Sequence, residues 1–216
     1  MKSRIPRSRG VRHPARNAVL FGLCTVAAVV LVLLGISDMR ATGRSGSPLL
    51  MLGLFPALIC PIVFVHYLTK IGVVRDMRRG RSAIARWTVP SDQFKRFCEQ
   101  DRRISASSVM TNFYLPPQTV PEEGVEVIFS DRGVLIEGGY FPLSVYGGRR
   151  VRSVRYVASD PPSLEFSITL TTQVRTSSAT TQSRRSAVTL RVPVATDAVE
   201  QAGAVVRRYQ AIIDPR

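Results

Sequence analysis

Histidine is nearly missing from this 216-residue chain: only His13 and His66 occur, and none lies between residues 82 and 216. That stretch therefore holds no Ser-His-Asp triad, no Cys-His pair and no His-containing zinc site. Cysteine is scarce too, with Cys24 and Cys60 inside apolar runs and Cys98 beyond them. Three such cysteines make no disulfide framework, one thiolate alone makes no metal site, and a reducing compartment fits. No Walker A or Gly-x-Gly-x-x-Gly pattern is present. The pairs Gly138-Gly139 and Gly147-Gly148 read as turn glycines between short strands. Glu122, Glu123, Asp131 and Glu137 read as solvated carboxylates rather than acid-base pairs. No catalytic residue, cofactor or metal ligand is assigned, and the chain reads as a non-enzyme.

Acidic residues are also absent from residues 1–16, which carry Lys2, Arg4, Arg7, Arg9, Arg12 and Arg16. The formal charge of +15 would ordinarily raise nucleic acid as a partner. Its placement argues otherwise. Residues 1–16 contribute +6, residues 70–103 another +6, and residues 104–216 only +2. Between the two basic blocks lie two runs without a charged side chain, Asn17 to Ser37 and Ser45 to Thr69, joined by a polar link at residues 38–44. At about 1.5 Å per helical residue either run can cross a hydrocarbon core of roughly 30 Å. The pattern predicts a transmembrane hairpin over residues 17–69, with helices at about 17–37 and 46–69. Basic flanks at both ends predict an integral, multi-pass protein of the cell (inner) membrane with both termini cytoplasmic. A cleavable secretory signal ending near Gly35-Ile36-Ser37 is the competing reading. Against it, the run exceeds a usual signal core and a second apolar run follows.

The tail 1–16, interrupted by Pro6 and Pro14, is expected to be disordered and close to anionic lipid. The first helix is expected to be plain, with Gly22 and Gly35 near its ends. In the second, Pro56 and Pro61 fall in the interior and are candidate kinks, since each removes a backbone donor and crowds the carbonyl four residues earlier. Gly53 and Ala57 form a small-xxx-small pair that would permit close helix approach. Residues 70–81 continue the helix as a basic juxtamembrane segment stopping near Gly80. There Arg75, Arg78, Arg79 and Arg81 are candidate contacts for anionic headgroups.

Residues 82–216 read as a cytoplasmic β-rich domain. Ser82 to Val89 is a strand ended by Pro90, and Ser91-Asp92 opens a helix with Phe94, Phe97 and Cys98 on one face. Val125 to Ser130 and Val134 to Glu137 flank the turn Asp131-Arg132-Gly133 as a hairpin. A reversal at Gly138-Gly139 leads into Tyr140 to Val145, and strands follow at about Arg150–Val157 and Leu164–Val174. Thr176 to Ser186 is expected to be a mobile loop, and Ala187 to Val194 a strand. Thr196-Asp197 is expected to cap a final helix whose stripe is Val199, Ala202, Val206, Tyr209 and Ile213. The fold class is α+β: an N-terminal helical hairpin, then an antiparallel β barrel or sandwich with a C-terminal helix.

This order resembles that of bacterial two-helix membrane proteins with a cytoplasmic pleckstrin-homology-like domain. The resemblance rests on the apolar hairpin, Ala85-Arg86-Trp87-Thr88-Val89-Pro90-Ser91 before a helix, the strands around Phe129-Ser130-Asp131-Arg132-Gly133, and Leu190-Arg191-Val192-Pro193-Val194 before the last helix. A pleckstrin-homology domain pairs its first two strands, whereas here a helix follows the first. The family's lipid-binding residues therefore have no counterparts at named positions. The resemblance implies a binding or scaffold role for a protein or lipid partner; the charge placement leaves nucleic acid unexpected, and a homo-oligomer is compatible with the chain. The alternative is a channel or transporter subunit with a proline-kinked second helix.

Overall fold

A computed structural model of the chain describes residues 7–43, 46–107, 112–175 and 181–215. It divides into two compact units: residues 13–75, and residues 76–216 together with the amino-terminal tail.

The first unit is an antiparallel pair of helices, α1 (Pro14–Thr42) and α2 (Pro48–Arg78, whose last turn belongs to the second unit). α1 is longer than the sequence pattern suggests, while α2 runs on past residue 70 and ends near Gly80, as the pattern predicts. Asp38 to Thr42 carry on the α1 ladder, which ends only at Gly43, whose φ of 65° turns its N–H onto the Met39 carbonyl. At the other end Pro14 sits in the first turn, where a missing N–H costs nothing. The helices touch where side chains are small. A Cβ on Gly35 would lie 2.5 Å from the Leu50 amide, and one on Gly53 would lie 2.9 Å from the Ala28 carbonyl and the Leu31 side chain. Gly22 faces the Phe64 ring, and Phe21 stacks on Tyr67 with centroids 5.7 Å apart. Outside that seam the hairpin bares its apolar side chains: Val26 is 63% exposed, Phe55 69% and Ile62 72%. Both helices are long and apolar enough to cross a membrane.

In the second unit, α2 stops after Arg78 through Gly80, whose φ is 75°; the amides of Gly80 and Arg81 bond the carbonyls of Met77 and Asp76. Strand β1 (Ala83–Val89) follows, then α3 (Ser91–Ser107), which buries Phe94 and Phe97 while Cys98 is half-buried. Strands β2 (Val125–Ser130), β3 (Gly133–Ile136) and β4 (Gly139–Pro142) join β1 in an antiparallel sheet of order β1-β2-β3-β4. β1 pairs with β2 from Val89 opposite Val125 to Ala83 opposite Ser130, so α3 is an excursion between partner strands. Strands β5 (Arg149–Val157), β6 (Ser163–Arg175) and β7 (Thr181–Pro193) form a second antiparallel sheet of order β5-β6-β7.

The final helix α4 (Val199–Ile213) packs on β1 and β5. Between the sheets lies a continuous apolar core in which Phe129 stacks on Phe166 and Phe166 meets Tyr209 edge-on. Aromatic rings in these offset and T-shaped arrangements add to the burial they provide. Trp87, 5% exposed, donates its indole N–H to the Pro193 carbonyl at 3.1 Å, and the Tyr209 hydroxyl donates to Ser130 O at 2.6 Å. Burial of these polar tips is thus matched by partners.

Four details of this unit differ from the sequence reading. Residues 181–186 are strand, because β7 continues its pairing with β6 as far as Thr181 opposite Arg175; residues 176–180 lie outside those described. The polar composition of that stretch reads as loop locally, yet cross-strand hydrogen bonds do not require an apolar face. Thr196 does not cap α4: a 3-10 turn at Thr196–Ala198 precedes the helix, and the Thr196 hydroxyl lies 3.4 Å from Gln93 Oε1. The α4 stripe is centred on Ala202, Val205 and Tyr209, with Val199 exposed. The fourth difference, at the amino terminus, creates the candidate site.

Candidate functional site

Residues 7–12, expected to be disordered, lie as an extended segment against the domain; residues 1–6 are outside those described. On one side the Ser8 amide donates to Phe113 O at 2.7 Å and Ser8 O accepts from the Leu115 amide at 2.8 Å, a parallel bridge to Tyr114. On the other, Val11 and Tyr140 exchange both backbone bonds, 2.9 and 3.1 Å, in antiparallel register at the free edge of β4. Asn112 in turn bridges to Thr189 of β7. The tail and residues 112–114 therefore link the two sheets edge to edge, in the order β4, tail, 112–114, β7. An extended segment that satisfies a sheet edge on both sides uses the chemistry of strand addition.

Two glycines make room for it. Gly10 has φ 74°, and a Cβ there would fall 2.8 Å from the Phe141 ring and 2.9 Å from Tyr140 O. Gly139, read from sequence as a turn glycine, faces the tail backbone: a Cβ on it would meet Arg9 O at 2.1 Å. Side chains are excluded by backbone at both positions, and at Gly10 by the Phe141 ring as well.

Charge fixes the ends. Arg12 pairs with Glu137, which itself sits at φ 50° in the turn before β4. At the other end Arg7 Nη2 stands 3.7 Å from Oδ2 of Asp101, a carboxylate on α3 whose side chain is 1% exposed. Asp101 Oδ1 accepts from Asn112 Nδ2 at 3.0 Å and from Arg191 Nη1 at 3.1 Å. Arg191, also buried, reaches Glu165 Oε2 at 3.5 Å. Asn112 completes the cluster by accepting from the amides of Tyr114 and Arg191, so it ties the 112–114 segment to β7. Burial pushes the Asp101 carboxyl up, and Asn112, Arg191 and Arg7 pull it down against that. A cleft of about 250 Å³ opens beside the cluster, lined by Asp101, Ile104, Arg155, Ser163 and Glu165 among others.

The tail leaves the site incompletely satisfied. Asp101 Oδ2 and the hydroxyl of the buried Tyr114 accept and donate no hydrogen bond. Arg149 lies 4.2 Å over the Phe113 ring with its Nε and one Nη unbonded, and burial pushes its guanidinium down. Burial also raises the Tyr114 phenol.

The residues singled out from sequence lie elsewhere. Arg75 and Arg78 are in the last two turns of α2, Arg79 and Arg81 in the turn that follows, and all four are exposed. Pro56 and Pro61, both half-buried, lie within one helical segment that runs on past each of them. Among the described residues no group of His, Cys, Asp and Glu is placed to hold a metal ion. The sequence reading missed the tail, Asn112 and the pair Asp101–Arg191. The available signal was a buried-acid position: Asp101 falls seven residues after Phe94 and four after Phe97, on the apolar side of α3. Comparison of the chain with protein-family models, with curated proteins and with solved structures finds no match.

Proposed function

We propose that the chain is an integral membrane protein that holds a cytoplasmic, pleckstrin-homology-like domain at the inner membrane face as a binding or scaffold module for a protein or lipid partner, without catalysis. The observation that carries the membrane reading is the hairpin's exterior. Side chains such as Val26, Phe55 and Ile62 would each forfeit about 1.5–3 kcal/mol if left in water rather than in lipid. A two-crossing arrangement is supported by the tail: Val11 pairs with Tyr140 of β4 within one unit, which favours both ends of the hairpin on one side of the bilayer. Arginines at both ends favour the cytoplasmic side.

The likeness to a pleckstrin-homology domain is supported by sheets of four and three antiparallel strands closed by a C-terminal helix. The pairing of β1 with β2 across the α3 excursion keeps that order despite the inserted helix. Exposed Arg75, Arg78, Arg79 and Arg81 are the groups through which anionic headgroups would orient the domain, each adding about 1 kcal/mol near the surface. The test is fractionation and capture. The full-length chain should stay with membranes after an alkaline wash, and crosslinking in native membranes should recover a discrete partner. Release into the wash overturns the membrane reading.

A further inference from the structure

The groove between β4 and residues 112–115 is filled by the chain's own tail, but only partly to its chemical requirements. Four backbone bonds and two close-fitting glycines set its geometry. Its deep end, however, presents a carboxylate oxygen with no hydrogen bond, and the tail's guanidinium stops 3.7 Å away, beyond hydrogen-bonding distance. A buried acceptor left unmade carries a penalty that a better-placed donor removes.

We propose that this groove is a binding site for an extended, arginine-bearing strand of a partner protein, and that residues 7–12 are its resident competitor. The ligand pattern follows from the positions occupied. It has arginine where Arg7 faces Asp101, glycine where Gly10 passes Phe141, and arginine where Arg12 meets Glu137, that is, Arg-x-x-Gly-x-Arg. Backbone bonds to Phe113, Leu115 and Tyr140 hold the strand whatever its intervening residues. The acidic ends favour a basic segment, and the missing Cβ at Gly139 and at the ligand's glycine fixes register. The partner's strand can enter only when the tail leaves, so the tail sets the threshold for recruitment at the membrane. The proposal rests on the reading of the domain as a protein-binding module. It adds where the partner binds and what it carries.

The experiment uses the full-length chain in micelles and a labelled hexapeptide, Arg-Ser-Arg-Gly-Val-Arg, with blocked ends. Gly10→Val in the chain places side-chain atoms against Phe141 and Tyr140 O and should expel the tail. Anisotropy should then show saturable peptide binding at least tenfold tighter than to the parent chain. Peptides with valine for the glycine, or alanine for both terminal arginines, should bind at least tenfold more weakly. Equal binding to both chains, or no binding to a folded Gly10→Val chain, overturns the proposal. Hydrogen exchange on the unaltered chain gives a second test that needs no variant. The amides of Ser8, Val11, Leu115 and Tyr140 should exchange together at least tenfold faster than those of Val127 and Ile136. Exchange of both groups at one rate means that the groove opens only on unfolding, and the proposal falls. A Val11→Cys/Tyr140→Cys disulfide joining two differently tagged chains would assign the groove to a second copy's tail, and also overturns it. Loss of peptide binding with membrane retention and partner capture intact would leave the broader reading standing.

Discussion

Replacing Arg191 with methionine removes a guanidinium that donates a hydrogen bond to Asp101, while keeping a side chain of comparable length. The environment sets the magnitude. Arg191 and Asp101 have side chains 9% and 1% exposed, and the same guanidinium stands 3.5 Å from Glu165. Removing one partner of a buried pair leaves an uncompensated charge and costs about 3–5 kcal/mol. The exposed pair Arg86–Glu126, on the rim of β1 and β2, serves as the contrast, since such pairs contribute about 0–1 kcal/mol. Urea unfolding of the full-length chain in micelles reads Arg191→Met and the control Arg86→Met through Trp87, the single tryptophan, which is buried in the domain core. The pH dependence supplies a second signature. Asp101 is an acid raised by burial, so the folded domain binds its proton more readily than the unfolded chain does. Stability from this group therefore falls as pH rises from the unfolded carboxylate value through the folded one. Taking away Arg191 removes one of the groups that hold the carboxyl down and enlarges the rise. The Arg191→Met deficit should thus shrink as pH is lowered from 7 toward 5. Adding Asp101→Asn should recover part of it, with a coupling of about 0.5–3 kcal/mol. A deficit under about 1 kcal/mol at pH 7, or one that grows on acidification, refutes the reasoning.

Phe166→Ala empties the centre of the Phe129–Phe166–Tyr209 stack and should cost about 3–5 kcal/mol in the same urea assay. Gly35→Val drives a side chain into the Leu50 backbone and should part the helices. Crosslinking between cysteines placed at Phe21 and Tyr67, in a chain otherwise free of cysteine, should fall sharply. Arg208 holds Asp131 by two bonds of 2.7 Å and keeps its carboxyl below the usual range. The contribution of that pair is present above the unfolded carboxylate pKa and lost as pH falls through the lowered folded value, so Arg208→Ala should flatten the acid limb of the stability profile, with its deficit fully present at neutral pH and vanishing at low pH.

What the sequence makes legible is local. Val125–Ser130 and the strand after Gly133 alternate or run apolar on either side of an Asp-Arg-Gly turn, and the hairpin forms there. Gly80 ends a helix in a left-handed conformation that only glycine adopts freely, and α2 stops two residues before it. The first apolar run locates α1 but not its ends, because Pro14 to Arg16 and Asp38 to Thr42 carry charge or a proline and still belong to the helical ladder. The candidate site depends on contacts remote in sequence. Arg7–Arg12 is short, basic and flanked by proline, which is the composition of a disordered tail. Its order comes from Phe113, Leu115 and Tyr140, more than a hundred residues on. No periodicity within six residues reports a strand whose partners are that far away. Asp101 and Arg191 are likewise ninety residues apart, so the place of Asp101 on the apolar side of α3 signals its burial but not its partner.

The arrangement of the hairpin and domain about the membrane is tested most directly by labelling intact cells with a membrane-impermeant maleimide, in a chain whose three native cysteines have been replaced. Cysteine at Ala41, exposed near the end of α1, should be modified from outside. Cysteine at Tyr146, 76% exposed in the loop between β4 and β5, should be modified only after the cells are permeabilised. Modification of position 146 in intact cells, or protection of position 41, would contradict an inner-face domain held by a two-crossing hairpin.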